Sequence, residues 1–196
     1  TRVRNMDYAF QFNKLMYERL IEGGKITFFS PNDVPGLYDA FFADQAEFER
    51  LYSIYEADDS IRKKRIKAIE LFSLFMQERA STGRIYLQNV DHCNTHSPFN
   101  PKFAPVRQSN LCLEIALPTK PLSHINDEEG EIALCTLSAF NLGEINNLDE
   151  LEELSDLAVR ALDSLLDYQD YPVPAAYNAT VGRRTLGVGV INLAYY

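Results

Sequence analysis

Three side chains with different chemistry alternate along one short segment of the sequence. They are the amide of Asn110, the thiol of Cys112 and the carboxylate of Glu114, in the run Ser109-Asn110-Leu111-Cys112-Leu113-Glu114-Ile115. In an extended strand alternate side chains share a face, and successive residues of one face are about 6.5 to 7 Å apart. The pattern therefore predicts a strand over 110–117 whose polar face could contact one sugar-sized ligand, backed by an apolar face.

A half-buried strand with a small core cysteine is the alternative interpretation of this segment, because free cysteine is often a plain buried residue. Cys135 lies in a second apolar run, 131–137, which also predicts a strand and for which core packing is again an alternative. The spacing of the cysteines gives no Cys-x-x-Cys redox signature. A functional relation between Cys112 and Cys135 requires neighbouring strands, which their separation of 23 residues permits without requiring.

The sequence around these segments predicts alternating helices and short strands. Apolar residues at helical spacing predict helices over 7–22, 41–55 and 60–80, with Gly83 ending the third. Asn147 and Glu150 form a capping-box-like start for a helix to Asp167. Further strands are predicted at 25–29, 84–88 and 184–190, and the Asn-, Ser-, Pro- and His-rich stretch 89–108 predicts an ordered loop. Such alternation is typical of α/β architecture.

Composition and charge exclude several classes of protein. The net charge of −9 argues against a nucleic-acid-binding surface, because phosphate binding needs clustered Lys and Arg. The one basic run, 62–67, lies in a helical pattern and is predicted to be a solvated helix face. No apolar run approaches the roughly 18 residues of a membrane span.

Cellular location and completeness are also suggested by the sequence. Three cysteines in 196 residues do not suggest a secreted disulfide scaffold, and the first residues lack the apolar core of a signal peptide. A cytoplasmic location is therefore expected. The chain stops directly after the apolar run 188–191 without a cap or breaker, from which we expect it to be part of a longer protein.

The histidines and cysteines of the sequence suggest two further types of site. A metal site would draw on Asp91, His92, Cys93, His96 and His124, whose types suit zinc but whose spacing matches no standard site. A Cys-His nucleophile is weaker still, because no histidine is placed beside Cys112 by the sequence. A non-catalytic or metal-binding segment of a larger α/β protein is therefore the alternative function.

Several motifs together resemble the large subunit of class I ribonucleotide reductases, in the bacterial Ia type. The central ones are Asn110-Leu111-Cys112-Leu113-Glu114-Ile115 and Glu131-Ile132-Ala133-Leu134-Cys135-Thr136-Leu137-Ser138-Ala139-Phe140-Asn141-Leu142-Gly143. The resemblance also includes Ser30-Pro31-Asn32-Asp33-Val34-Pro35-Gly36-Leu37-Tyr38-Asp39-Ala40-Phe41, Glu78-Arg79-Ala80-Ser81-Thr82-Gly83-Arg84, Asn89-Val90-Asp91-His92-Cys93-Asn94 and Gly182-Arg183-Arg184-Thr185-Leu186-Gly187. It spans essentially the whole chain and is weakest at 177–181.

The resemblance implies a role for each matching residue. Cys112 is expected to carry the thiyl radical that abstracts the 3′-hydrogen of a ribonucleoside diphosphate, Glu114 to act as general base on the 3′-OH, and Asn110 to hold the ribose hydroxyls. Cys135 is expected to be one member of the reducing dithiol. The substrate is expected to be bound by a set of residues from both motifs: Ser109, Asn110, Leu111, Cys112, Leu113, Glu114 and Leu137.

The resemblance also implies a fold and a set of partners. Residues 1–196 are expected to form a single segment of a ten-stranded α/β barrel, with helices flanking short strands and Cys112 near the tip of a central finger loop. No cofactor is expected to be bound directly: the radical comes from the metal cofactor of a small (beta) subunit. ATP and deoxynucleoside triphosphate effectors bind elsewhere in the full-length chain. Thioredoxin or glutaredoxin is the expected reductant, and the full-length large subunit is expected to form a homodimer.

Parts of the family's machinery are expected outside these residues. The partner of Cys135 should precede Thr1, since Cys93 is not at a matching position. The phosphate-binding loop and the radical-relay tyrosines should follow Tyr196. We therefore expect no reductase activity from the isolated chain, even with the small subunit added.

Overall fold

A computed structural model of the protein describes residues 6–195. The helices and strands follow one another along the chain in the order β1 (Tyr8–Phe12), α1 (Lys14–Ile21), β2 (Lys25–Phe29), α2 (Leu37–Ala43), α3 (Gln45–Ala57), β3 (Lys63–Lys67), α4 (Ala68–Thr82), β4 (Ile85–Asn89), α5 (Val90–Thr95), β5 (Leu137–Asn141), α6 (Glu150–Tyr168), α7 (Pro174–Arg183) and β6 (Gly187–Ile191). Short 3-10 helices occupy Pro31–Asp33 and Leu142–Glu144.

The chain divides into two compact units, one running to Pro118 and the other beginning at Thr119. In the first unit β1 pairs with β4 in parallel and β2 pairs with β3 antiparallel. In the second unit β5 pairs with β6 in parallel. This mixture of helices and strands confirms the predicted α/β class, and within residues 6–195 the strands form three two-stranded sheets and no closed barrel.

Aromatic packing holds the first unit together. One buried cluster contains Phe12 at the end of β1, Ile26 of β2, and Phe72 and Phe75 of α4. The rings of Phe12 and Phe72 lie 5.1 Å apart, and those of Phe12 and Phe75 meet edge to face at 5.3 Å, an arrangement favoured by the ring quadrupoles. A second cluster around Phe48 and other residues of α2 and α3 packs beneath the turn after β2.

Two segments that were predicted to be helical throughout each contain a strand followed by a helix. The segment 7–22 is β1 followed by α1, and the segment 60–80 is β3 followed by most of α4. Tyr8 and Phe12 are four residues apart, so their spacing fits a helix as well as the ends of a five-residue strand. The strand form prevails because β1 pairs in register with β4, from Tyr8 opposite Ile85 to Phe12 opposite Asn89.

The basic run is therefore a strand, and the prediction of a solvated helix face is wrong. Two of its side chains turn back to the C-terminal end of α3. Lys63 Nζ donates to the carbonyl oxygens of Tyr55, Glu56 and Asp58, at 3.2, 2.8 and 2.6 Å, and Arg65 donates to that of Glu56 at 2.6 Å. The carbonyls at a helix C-terminus carry partial negative charge and lack intrahelical partners. The positive charges of β3 thus stabilise the end of α3.

Other boundaries also differ from the predictions. The predicted helix 41–55 is divided at Asp44, whose carboxylate accepts from the Glu47 N–H at 3.0 Å and caps α3. The predicted loop 89–108 contains the short helix α5. In the second unit α6 begins without a side-chain cap bond, and Asn147 Oδ1 instead accepts from the Asp149 N–H at 3.1 Å. The capping box predicted there does not form.

Other predicted elements are confirmed, among them the strands at 25–29 and 84–88, to within one residue, and the end of α4 at Gly83. The predicted strand 184–190 is present as β6, which begins three residues later and ends one residue later than predicted. Within the described part of the chain, no helix combines the length and apolar character needed to cross a membrane.

Substitution of Gly83 tests how α4 ends. Its φ of +66° lies in the left-handed region, where a Cβ is disfavoured, so we expect Gly83→Ala to lower the free energy of unfolding by about 1 kcal/mol. Gly182, inside α7, has open space at its Cβ position and no positive φ. Gly182→Ala is the control and should raise the free energy of unfolding by about 0.5 kcal/mol. Urea unfolding followed by circular dichroism measures the free energy of unfolding of both variants. A change of the same sign in the two variants would contradict the assignment of Gly83 as the left-handed residue that ends α4.

Candidate active site

The segment that carries Asn110, Cys112 and Glu114 is a turn, so the predicted strand over 110–117 is wrong. The Leu113 N–H donates to the Asn110 carbonyl at 3.2 Å, which closes a four-residue turn. Leu113 has a φ of +65°, a conformation that is costly for a residue with a Cβ. Within residues 6–195 no strand pairs with this segment, and asparagine side chains compete with regular structure by bonding the local backbone.

The side chain of Asn110 organises this turn. Its Nδ2 donates to Glu114 Oε1 at 2.6 Å, and its Oδ1 accepts from the Ile115 N–H at 3.1 Å. The sequence predicted that the amide and the carboxylate lie together on one face of a strand. The structure brings these two side chains together by bending the chain, so that each end of the Asn110 amide holds one part of the loop.

Cys112 lies between these two residues at the exposed end of the loop. The neighbouring Leu111 is 64% exposed, whereas Leu113 and Ile115 are partly buried, so the apolar backing predicted for the polar residues is present only in part. Residues 110–114, which we call the cysteine loop, therefore present a thiol and a carboxylate to the surface of the first unit.

Hydrogen bonds close the base of the cysteine loop. Ser109 Oγ donates to the Ile115 carbonyl at 2.8 Å, beside the bond from Ile115 N–H to Asn110. Just before the loop, Gln11 Nε2 donates to the Arg107 carbonyl at 2.8 Å and to Gln88 Oε1 at 2.9 Å. The predicted helix over 7–22 gave no reason to expect Gln11 beside the cysteine loop. The alternation of 8–12, with Gln11 between two phenylalanines, is the signal that could have revealed a strand.

A cavity of about 340 Å³ adjoins the cysteine loop inside the first unit. Its lining combines aromatic and polar side chains of β1 and β4 with the start of the loop, and includes Tyr8, Gln11, Tyr86, Ser109 and Asn110. Among the described residues, Cys112 and Glu114 are not part of this lining.

Cys135 and Leu137 belong to the second unit. Cys135 is exposed and lies two residues before β5, so the strand predicted over 131–137 is present only at its last residue. Leu137 begins β5 opposite Gly187, where a Cβ would overlap Leu137 Cδ2. Glycine at 187 therefore leaves room for the side chain of Leu137, which is half exposed.

The residues of the alternative metal site do not assemble. No group of three or more His, Cys, Asp or Glu side chains in residues 6–195 could hold a metal ion. Cys93 is partly buried, and burial raises the pKa of its thiol, with Gln88 Nε2 at 3.7 Å from the sulfur. A thiol held in the neutral form is a poor ligand and a poor nucleophile.

The sequence of this chain is similar to those of several known proteins. The family model described as "Ribonucleotide reductase, barrel domain" matches residues 1–196. The ribonucleoside-diphosphate reductase 1 subunit alpha of Escherichia coli K12 is 80% identical over all of this chain, and the corresponding subunit of Haemophilus influenzae is 76% identical. The subunit alpha of Enterobacteria phage T4 is 53% identical over 98% of the chain. The chain spans about a quarter (26%) of the length of each of these relatives.

The Asn110 amide provides a test of the cysteine loop's closure. Asn110→Ala removes the acceptor of the Ile115 N–H, so exchange of this amide hydrogen should become about fivefold faster, as expected for loss of about 1 kcal/mol. Hydrogen exchange followed by NMR measures the rate. The Gly130 N–H, which is bound by Asp127 Oδ1 in the second unit at 3.1 Å, is the internal control. Unchanged protection of Ile115 would show that Asn110 does not close the loop.

Proposed function

The chain belongs to the ribonucleotide reductase barrel-domain family, and from this premise we propose that it carries the radical-bearing residues with which a full-length large subunit reduces ribonucleoside diphosphates to 2′-deoxyribonucleoside diphosphates. The proposed product is a precursor of DNA. The proposal assigns the chemistry to Cys112, Glu114 and Asn110 of the cysteine loop and to Cys135 of the second unit.

The hydrogen bond of 2.6 Å between Asn110 Nδ2 and Glu114 Oε1 is the observation that carries this proposal. It fixes a carboxylate beside an amide, with a thiol two residues from each, in one short turn. A carboxylate oriented in this way can accept a proton from a hydroxyl group. The amide that orients it is within reach of the same small ligand.

The first half of the proposed reaction takes place at the ribose. The Cys112 sulfur radical accepts the 3′-hydrogen atom, so the S–H bond forms as the C3′–H bond breaks and the unpaired electron moves to C3′. Glu114 takes the proton of the 3′-OH, while Asn110 holds the hydroxyl groups. The electron-rich radical then expels the 2′-oxygen, which is a poor leaving group in an ordinary nucleotide, as water.

The second half needs two electrons, which a dithiol supplies. In the proposed reaction Cys135 and a second cysteine of the full-length subunit become a disulfide and give up two hydrogens. One hydrogen ends on C2′ and the other leaves with the 2′-oxygen in water. Glu114 returns its proton to the 3′-oxygen, Cys112 returns its hydrogen atom to C3′, and the Cys112 sulfur becomes a radical again. The exposure of the Cys135 sulfur in the second unit supports access for such exchange.

Substrate contacts and partners complete the proposal. We assign the wall of the substrate site to Ser109, Leu111, Leu113 and Leu137. The radical is supplied by the metal cofactor of a small subunit, and thioredoxin or glutaredoxin re-reduces the dithiol. Effectors bind elsewhere in the full-length large subunit, which forms a homodimer, and the enzyme is located in the cytoplasm.

Replacement of Cys112 tests the radical role. In a full-length large subunit containing this sequence, Cys112→Ser should lower kcat at least about 1,000-fold, because a hydroxyl O–H bond is too strong to exchange the hydrogen atom with C3′. Binding of the ribonucleoside diphosphate, measured by equilibrium dialysis, should remain. Cys93→Ser is the matched control and should retain activity. Turnover by the Cys112→Ser enzyme would refute the assignment.

Replacement of Cys135 separates the reducing role from the radical role. Cys135→Ser should abolish multiple turnover with thioredoxin, since no disulfide can form and be re-reduced. The measurement is deoxynucleotide formed per enzyme over time, with wild type and Cys93→Ser assayed in parallel. Normal steady-state turnover in Cys135→Ser would remove Cys135 from the dithiol and leave the role of Cys112 intact.

A further inference from the structure

Asn94 holds the chain that leads into the cysteine loop. This residue lies on α5 and is 4% exposed. Its Oδ1 accepts from the Val106 N–H at 2.7 Å, and its Nδ2 donates to the Val106 carbonyl at 3.0 Å and to the Val90 carbonyl at 2.8 Å. Both polar groups of one backbone residue are therefore bound by a single amide, much as a neighbouring strand would bind them.

The held residue is itself deeply buried. Val106 is 1% exposed. The next residue, Arg107, is bound through both its backbone carbonyl and its side chain. The Arg107 carbonyl accepts from Gln11, and the Arg107 guanidinium reaches Asp39 Oδ1 at 2.9 Å while lying 5.3 Å from the centre of the Phe42 ring. We call Val106 and Arg107 the stem. Its backbone, like that of a strand, has fixed partners on two sides.

Little flexible chain separates the stem from the cysteine loop. Only Gln108 lies between Arg107 and Ser109, and Ser109 already takes part in closing the loop through the Ile115 carbonyl. A displacement of Val106 must therefore be passed on to Ser109, Asn110 and the residues that follow. The position of the Cys112 sulfur is in this way linked to a side chain on a different helix.

From this continuity we propose that Asn94 is a positioning residue of the enzyme: by binding both backbone groups of Val106, it fixes the stem from which the cysteine loop presents Cys112 to the ribose. The proposal rests on the proposed function of the cysteine loop. Hydrogen-atom transfer needs close approach of sulfur and C3′, and a misplacement of about 1 Å can lower a rate about 100-fold. The amide of Asn94 touches no reacting atom and acts only through the stem.

The first test uses a full-length large subunit containing this sequence. Asn94→Ala should lower kcat about 10- to 100-fold per folded enzyme, with KM for the ribonucleoside diphosphate changed less than about threefold. Asn13→Ala is the matched control, because Asn13 is fully buried and donates to Gln45 at 2.9 Å rather than to the stem. Its kcat per folded enzyme should stay within about twofold of wild type. The folded fraction is measured for each variant by circular dichroism.

The second test keeps the volume of the side chain, so that it remains informative if Asn94→Ala does not fold. In Asn94→Asp a carboxylate would face the carbonyls of Val90 and Val106, and both burial and these acceptors raise the pKa of the new carboxyl group. The protonated acid can donate to the Val106 carbonyl and accept from its N–H, whereas the carboxylate can only accept. The ratio of its kcat to that of wild type should therefore rise as the pH falls from about 8 to about 6.

The same ratio should be flat for Asn13→Asp, which introduces an equally buried acid away from the stem. A general loss of stability would give the two aspartate variants the same pH dependence, and that result would overturn the proposal. Asn94 variants with full kcat beside an inactive Cys112→Ser enzyme would also overturn it, while leaving the proposed function in place. An active Cys112→Ser enzyme would overturn both.

Discussion

The fold of the cysteine loop depends on one side-chain amide that uses both its ends. Asn110 accepts from the backbone at Ile115 and donates to Glu114. A backbone turn alone would bring the two ends of the loop together, but it would not set the direction of the carboxylate. The amide does both, so the shape of the loop and the orientation of the Glu114 carboxylate, the proposed general base, are set by the same residue.

The cost of this arrangement is concentrated at Leu113. A left-handed conformation costs a residue with a Cβ on the order of 1–3 kcal/mol, and Leu113 adopts it with a φ of +65°. Such a residue keeps its conformation only when its surroundings determine it. Here the turn bond to Asn110 and the two bonds at Ile115 do so. Bonds of the stem to Gln11 and Asn94 then hold the base of the loop.

The sequence predicted which polar side chains of the loop lie together better than it predicted the shape of the loop. The spacing placed Asn110 and Glu114 on one side of the segment, and these two side chains meet although no strand forms. Strands with a clear local pattern, such as β2 and β4, were also predictable. In contrast, β1 depends on a partner 77 residues away, since Tyr8 pairs with Ile85. A pattern of apolar residues cannot reveal so distant a partner, and the spacing of Tyr8 and Phe12 fits a helix equally well.

Neutral amides suit this loop because an amide can both donate and accept hydrogen bonds. Asn110 and Asn94 each donate to an oxygen and accept from a backbone N–H, and Gln11 donates to two oxygens. A lysine or arginine at these positions could only donate, so it could not accept from a backbone N–H. Arg107, a cation of the stem, directs its charge to Asp39 and the ring of Phe42 instead. The loop and its stem are thus held by neutral amides that each bind more than one partner.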